Sequence, residues 1–154
     1  MEISELVTPD AVLAELKAAS KRQVLQELAT AAAPLCGLHE QHIFEALLER
    51  ERLGTTGVGH GVAIPHARLP SLDRLYGVFA HLTEPVEFDA IDDEPVDLVF
   101  LLLAPEGAGA DHLKALARIS RLLRDSALCA ALRATRHTTD LHALLTHPPQ
   151  SHAA

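Results

Sequence analysis

The stretch from Leu53 to Leu69, LGTTGVGHGVAIPHARL, decides how this chain is read. Four of the eight glycines stand in it: Gly54, Gly57, Gly59 and Gly61. Glycine has no Cβ, so such a segment lets backbone approach backbone, or an anion, closely. The apolar run Val62-Ala63-Ile64 reads as a short buried strand. Pro65 holds its own φ at about −65° and biases Ile64 to the extended region. His66 is therefore expected at the end of a strand, on a stiffened backbone. An imidazole held that way can aim one nitrogen outward.

Before this stretch the pattern is helical. Thr8-Pro9-Asp10 reads as a helix start with Pro9 in the first position, and a short helix is expected to about Ala18. Ser20 caps a second helix carrying Val24, Leu25, Leu28 and Ala32 at helical spacing, ended by Pro34 and Gly37. A third covers about His39 to Arg52, with Ile43, Phe44, Leu47 and Leu48 on one face and Gly54 as its stop. After it, Leu75–Leu82 and Val86–Asp89 read as extended pieces. Asp97–Ala104, DLVFLLLA, is the most apolar run and reads as a central strand buried on both faces. Helices are then expected over about 110–124, from a Ser126 cap to about Ala134, and over about 139–145. The fold class that follows is α/β, a single domain with a small mixed β-sheet flanked by helices on both sides. The domain is expected to span 1–146, followed by a flexible C-terminal tail, 147–154.

Composition narrows the partners. The chain has 154 residues, and 48% are hydrophobic but only 3% aromatic, so its core is aliphatic. The formal charge of −8 argues against nucleic acid as a partner. Seven acidic residues lie between Glu84 and Asp97, read either as a solvated loop or as a surface attracting a basic protein. Cys36 and Cys129 form no CxxC pair and read as two buried thiols of a cytoplasmic protein. No signal peptide and no membrane-length apolar run is visible, so no membrane association is expected. Histidines 137, 142, 147 and 152 step about 140° around a helix, share no face, and make no metal site. No metal and no cofactor is expected.

Taken residue by residue, the candidates have plain alternatives. His66 is either a reactive imidazole or a strand-end histidine bonded to a loop carbonyl. His112 falls in the first turn of a predicted helix, ahead of Leu116, Ile119 and Leu123, where free N–H groups favour an anion; spacing alone reads it as a half-buried capping histidine. Arg50 and Arg52 suit a helix C-terminus. The glycines are either an anion nest or turn formers.

The segment Glu49-Arg50-Glu51-Arg52-Leu53-Gly54, then Gly57-Val58-Gly59, then Val62-Ala63-Ile64-Pro65-His66, resembles the active-site motif of bacterial phosphotransferase system enzyme IIA of the fructose/mannitol class. It resembles the nitrogen-regulatory IIA branch most. Phe88-Asp89-Ala90-Ile91-Asp92 and Pro95-Val96-Asp97-Leu98-Val99-Phe100 resemble the family's central strand region, and His112 stands where the family has a second active-site histidine. The resemblance implies that His66 is phosphorylated, as a tele-phosphohistidine, by an HPr-like histidine phosphocarrier. It implies that His112 and Arg50 stabilise the phosphoryl group, a task that suits a guanidinium fork. At His60 the chain departs from the resemblance: mannitol-type relatives carry glutamate there and the regulatory branch often a small polar residue. His60, with Gly59, is read as an accessory phosphate donor or as a solvent-facing residue, the latter favoured.

The function expected is a phosphohistidine carrier that acts as a nitrogen-related regulatory protein on target proteins the sequence does not identify. The alternative is a sugar-specific, fructose/mannitol-type IIA component passing phosphate to a separate IIB protein. A metal-assisted hydrolase lacks an HExxH or a tight carboxylate–histidine cluster, and a binding module would have no chemistry at His66. Attraction of a basic donor by the acidic segment would make transfer slow as salt rises.

Overall fold

The computed structural model describes residues 2–149. The elements in order are α1 (Ile3–Leu6), a single 3-10 turn (Pro9–Ala11), β1 (Val12–Leu16), α2 (Lys21–Cys36), α3 (Glu40–Arg52), β2 (Gly57–Gly59), β3 (Val62–Ala63), β4 (His66–Leu69), β5 (Tyr76–Val86), β6 (Val96–Pro105), α4 (Gly109–Leu122), α5 (Ser126–Ala134) and α6 (Thr138–Thr146). The strand order is β1-β5-β6-β3-β2, with β4 also paired to β6. β5 runs antiparallel to β6, while β3 and β4 run parallel to it, so the sheet is mixed.

The sheet is built around β6. Leu98 through Ala104 are fully buried, so both faces of this strand are covered, as a continuous apolar run requires. Phe100 meets Phe79 of β5 edge-to-face at 6.4 Å. Helices α2 and α3 pack on β5 and β4, and α6 and α4 pack on β1 and β6.

The helix starts follow their side chains. Ser20 Oγ accepts from the Gln23 amide while Gln23 Oε1 accepts from the Ala19 amide, a reciprocal arrangement close to a capping box. α2 continues past Pro34 to Cys36, so Pro34 does not end it; Gly37 does, at φ +73°. Asp125, rather than Ser126, caps α5 by accepting from the amides of Ala127 and Leu128. Cys129 is buried and Cys36 half-buried, and both are free thiols. His142 bonds through Nε2 to the Val7 carbonyl, and His137 and His147 flank α6. His152 and most of the expected 147–154 tail lie outside the described residues.

Three expectations give way to long-range pairing. The helix expected from Pro9 to Ala18 is a single turn, and Val12–Leu16 instead forms β1, parallel to β5 with Val12 opposite Phe79. The separate extended piece at Val86–Asp89 does not form: β5 runs unbroken to Val86 and the strand stops there. The third concerns His66, which opens β4 rather than ending a strand. β3 and β4 lie beside β6 in one register, Val62 opposite Leu98 and His66 opposite Leu102, with the break at Ile64 and Pro65.

The glycines have structural work here. His60 and Gly61, at φ +58° and +78°, form the two-residue turn joining β2 to β3, as in a type I′ hairpin. At Gly57 a Cβ would fall 2.9 Å from the Ala90 backbone, and the Ile91 amide donates to the Gly57 carbonyl. Gly57→Ala is expected to destabilise the fold by about 1–3 kcal/mol through overpacking, read as a lower urea midpoint.

Candidate active site

α3 ends beside β4, and the N-terminal turn of α4 closes the same space. The result is an open cavity of about 460 Å³ lined by Arg50, Leu53, His66, Arg68 and His112, with Ala46, Glu49 and Ala67. His66, His112 and Arg50 therefore come together from three separate elements.

The His66 tautomer is fixed by two contacts. Nδ1 lies 2.9 Å from the Ile64 carbonyl, which can only accept, so Nδ1 carries the hydrogen. Nε2 takes a hydrogen bond from Arg50 Nε at 3.2 Å, so it carries the lone pair. Burial lowers the imidazole's pKa below the ordinary 6.5; the Ile64 bond and Glu51 oppose this, and Arg50 and Arg68 add to it. His66 is thus a neutral imidazole at physiological pH with its lone pair on Nε2.

Arg50 is braced. Its Nη1 donates to the Gly54 carbonyl at 2.8 Å, spanning the end of α3. The next residue, Glu51, is a buried carboxylate: it accepts from the Thr56 amide at 3.0 Å and from the Thr56 hydroxyl, and pairs with Lys21 at 2.9 Å. Three partners offset the desolvation of the charge and tie α2, α3 and the loop before β2 together. Arg52 points to Glu49 at the surface.

His112 is only 4% exposed. Its ring stands edge-on to His66, centroids 5.5 Å apart at 69°. Nδ1 accepts from Arg68 Nε at 2.9 Å, and Nε2 is buried without a partner. Burial first, then His66 and Arg68, lower its pKa to about 4.

Two expected accessory residues lie elsewhere. His60 and Gly59 line a second cavity of about 550 Å³ with Arg133, Ser120 and Cys129. The His60 amide donates to Asp92 and its carbonyl accepts from Arg133, which pairs with Asp97. His60 is exposed, at a hairpin corner. None of the four motif glycines lines the His66 cavity, and neither does any residue of the acidic segment 84–97. Two residues of the site escaped the sequence reading. Arg68 follows His66 by two, and strand alternation puts both on one face of β4; Glu51 gave no signal beyond its place in a charged helix end.

Comparison with known proteins now bears on this geometry. The family model for the phosphoenolpyruvate-dependent sugar phosphotransferase system, EIIA 2, matches residues 5–147. The chain belongs to this EIIA type 2 family. A nitrogen regulatory protein of Bradyrhizobium diazoefficiens is 58% identical, with 99% of this chain and all of that protein covered. Among solved structures, the nitrogen regulatory protein IIA-Ntr of Neisseria meningitidis superposes with a TM-score of 0.89 at 33% identity, covering 94% of this chain and 99% of that one. A fructose-specific EIIABC component of Bacillus subtilis is 36% identical over 80% of this chain but only 20% of its own length. This EIIA domain is thus similar end to end to nitrogen regulatory proteins, and in part to a sugar-specific component.

The buried imidazoles make a pH prediction. Between pH 6.5 and 4 the unfolded chain binds a proton at position 112 that the folded chain does not, so stability falls as pH falls through that window. The slope is about 1.4 kcal/mol per pH unit for one full proton, and His66 adds in the same direction. Denaturant midpoints across this window should fall less steeply for His112→Gln than for the wild type.

Proposed function

We propose that this EIIA domain is a phosphohistidine carrier that accepts a phosphoryl group on Nε2 of His66 from an HPr-like phosphocarrier, and acts as a nitrogen-related regulatory protein in the cytoplasm. The observation that carries the reading is the tautomer: Nδ1–H is held by the Ile64 carbonyl, leaving Nε2 as a lone pair beside Arg50. In transfer, that lone pair attacks the donor's phosphorus. A new N–P bond forms as the donor's N–P bond breaks, and the electron pair of the broken bond returns to the donor imidazole. No proton moves at His66. The arriving dianion meets the Arg50 guanidinium and the Nε2–H of a neutral His112, the positioning and charge stabilisation that phosphoryl transfer requires. End-to-end similarity to nitrogen regulatory proteins supports the regulatory role over the sugar-specific alternative. Two unpaired thiols suit a reducing compartment.

Incubation with a phosphorylated phosphocarrier tests this directly. His66→Ala should take up no acid-labile label, and label mapped to His112 instead would sink the assignment. His112→Ala and Arg50→Ala should each still be labelled, about tenfold to a hundredfold more slowly, since a hydrogen bond to a charged group contributes about 1.5–3 kcal/mol.

Docking is assigned to the apolar rim instead of the acidic segment. Leu53 is 83% exposed and Leu113 63%, beside Arg50 and His112 respectively. Double reversal at Asp93 and Glu94 to Lys should therefore leave the salt dependence of transfer unchanged, while Leu53→Asp should raise the KM for the donor. A flattened salt slope in the double variant would return docking to the acidic loop.

A further inference from the structure

The His112–Arg68 pair is the one contact in the site that the transfer chemistry above leaves without a role. Arg68 stands two residues after His66 on β4, with Ala67 and Leu69 buried between and beyond them, so His66 and Arg68 project from the same side of the strand. Among the described residues Lys21, Arg52, Arg118 and Arg133 each pair with a carboxylate. Arg68 does not; its Nε donates instead to a neutral imidazole nitrogen. A guanidinium cannot give up its proton in a protein, so it can only donate. The Nδ1 of His112 is therefore obliged to be the acceptor, and the ring's hydrogen must sit on Nε2. That Nε2 is buried and has no acceptor in the protein. A buried donor without a partner costs free energy, and that cost ends when an acceptor arrives.

We propose that Arg68 is a positioning residue that holds His112 as its Nε2–H tautomer, so that a buried donor is kept ready for a phosphoryl oxygen on His66. The proposal rests on phosphorylation at His66. His112 faces two charged or titratable groups, His66 and Arg68, both on β4. Both disfavour a second proton on the ring, which keeps the lone pair on Nδ1 available to Arg68. Without Arg68, nothing in the described contacts of His112 selects one nitrogen, and the ring falls back on the weak preference of a free imidazole. Part of the population would then turn a lone pair instead of a donor towards the phosphoryl group.

The test uses the full chain at neutral pH. Two-bond hydrogen–nitrogen correlation spectra of the imidazoles report which nitrogen is protonated, whether or not transfer occurs. The wild type should show His112 as a single Nε2–H form. Arg68→Met should show a mixture of tautomers with the rest of the spectrum unchanged, and Arg68→Lys, which keeps a donor but loses the planar fork, should fall between them. Arg68 is exposed, so folding is not at stake. Transfer from the phosphocarrier should slow by no more than about twofold in Arg68→Met, in proportion to the share of His112 that loses the Nε2–H form. The same substitution in a His112→Ala background should cost nothing further. An unchanged His112 tautomer in Arg68→Met overturns the proposal, and so does a full additional loss in the His112→Ala background, which would make Arg68 a direct phosphoryl ligand. Failure of His66 labelling would instead strike the carrier reading and leave the tautomer result standing.

Discussion

A single hydrogen bond, from His66 Nδ1–H to the carbonyl of Ile64, depends on how β3 and β4 lie beside β6. The two strands share one register along β6, and a continuous strand would have run straight through. Pro65 has no N–H to give, and it restrains Ile64 as well as itself. The backbone at that point leaves the ladder, and the Ile64 carbonyl turns to the side chain two residues on. The Pro65 carbonyl still accepts from Leu102, so the chain rejoins β6 at once and His66 starts the next strand. The proline thus interrupts the sheet for the length needed to supply one acceptor. Without that acceptor the Nδ1–H would lose its partner, and Arg50 alone would be left to hold the lone pair on Nε2.

Charge is arranged against the overall balance of the molecule. The chain carries −8, yet the His66 cavity gathers two guanidiniums and two imidazoles whose burial keeps them neutral. Neutrality matters at both rings for opposite reasons. In the proposed transfer, a protonated His66 would have no lone pair with which to attack. A protonated His112 would compete with Arg50 and Arg68 as a third cation in an empty cavity, where like charges repel. Of the nearby carboxylates, Glu49 pairs with Arg52, and Glu51 is buried and committed to Lys21 and Thr56, so it braces the end of α3 without occupying Arg50. At the hairpin end of the sheet, Asp92 and Asp97 hold His60 and Arg133.

Local signals were legible where local physics decided the outcome. The caps at Ser20 and Gly37, the helical faces of α2 and α3, and the doubly buried run of β6 all stood in the sequence, and the mixed α/β architecture followed from them. β1 did not, because Val12-Leu13-Ala14-Glu15-Leu16 fits one turn of a helix as well as an edge strand, and only the free edge of β5 settles it. His60, where the chain departs from the resemblance, has two readings, an accessory phosphate donor or a solvent-facing residue, the latter favoured, and it is exposed. A histidine before glycine between two short extended runs is also a hairpin corner, and that geometry sends it to another cavity. Arg68 was within reach of simple alternation once His66 was placed at the start of a strand instead of the end. Glu51 was beyond reach, since a glutamate in a Glu-Arg-Glu-Arg helix end gives no sign that Thr56 and Lys21 will close over it.

If His66 carries the phosphoryl group as proposed, Arg50 and His112 would hold it in different ways. Arg50 Nε already touches the atom that would carry phosphorus, so it needs only a small shift to meet an oxygen of the new group. His112 is buried on the first turns of α4, with its amide bonded to the Ala108 carbonyl. In the proposed transfer one partner of the phosphoryl group would thus be charged and the other buried and neutral. The charged one would meet the negative charge that changes place as phosphorus passes between two imidazoles. The buried one would define where the oxygens lie when the group arrives, and a donor with no charge of its own would do so without deepening the well from which the group must leave. A carrier has to accept and release the same group, so a site with two fixed cations would bind better and transfer worse.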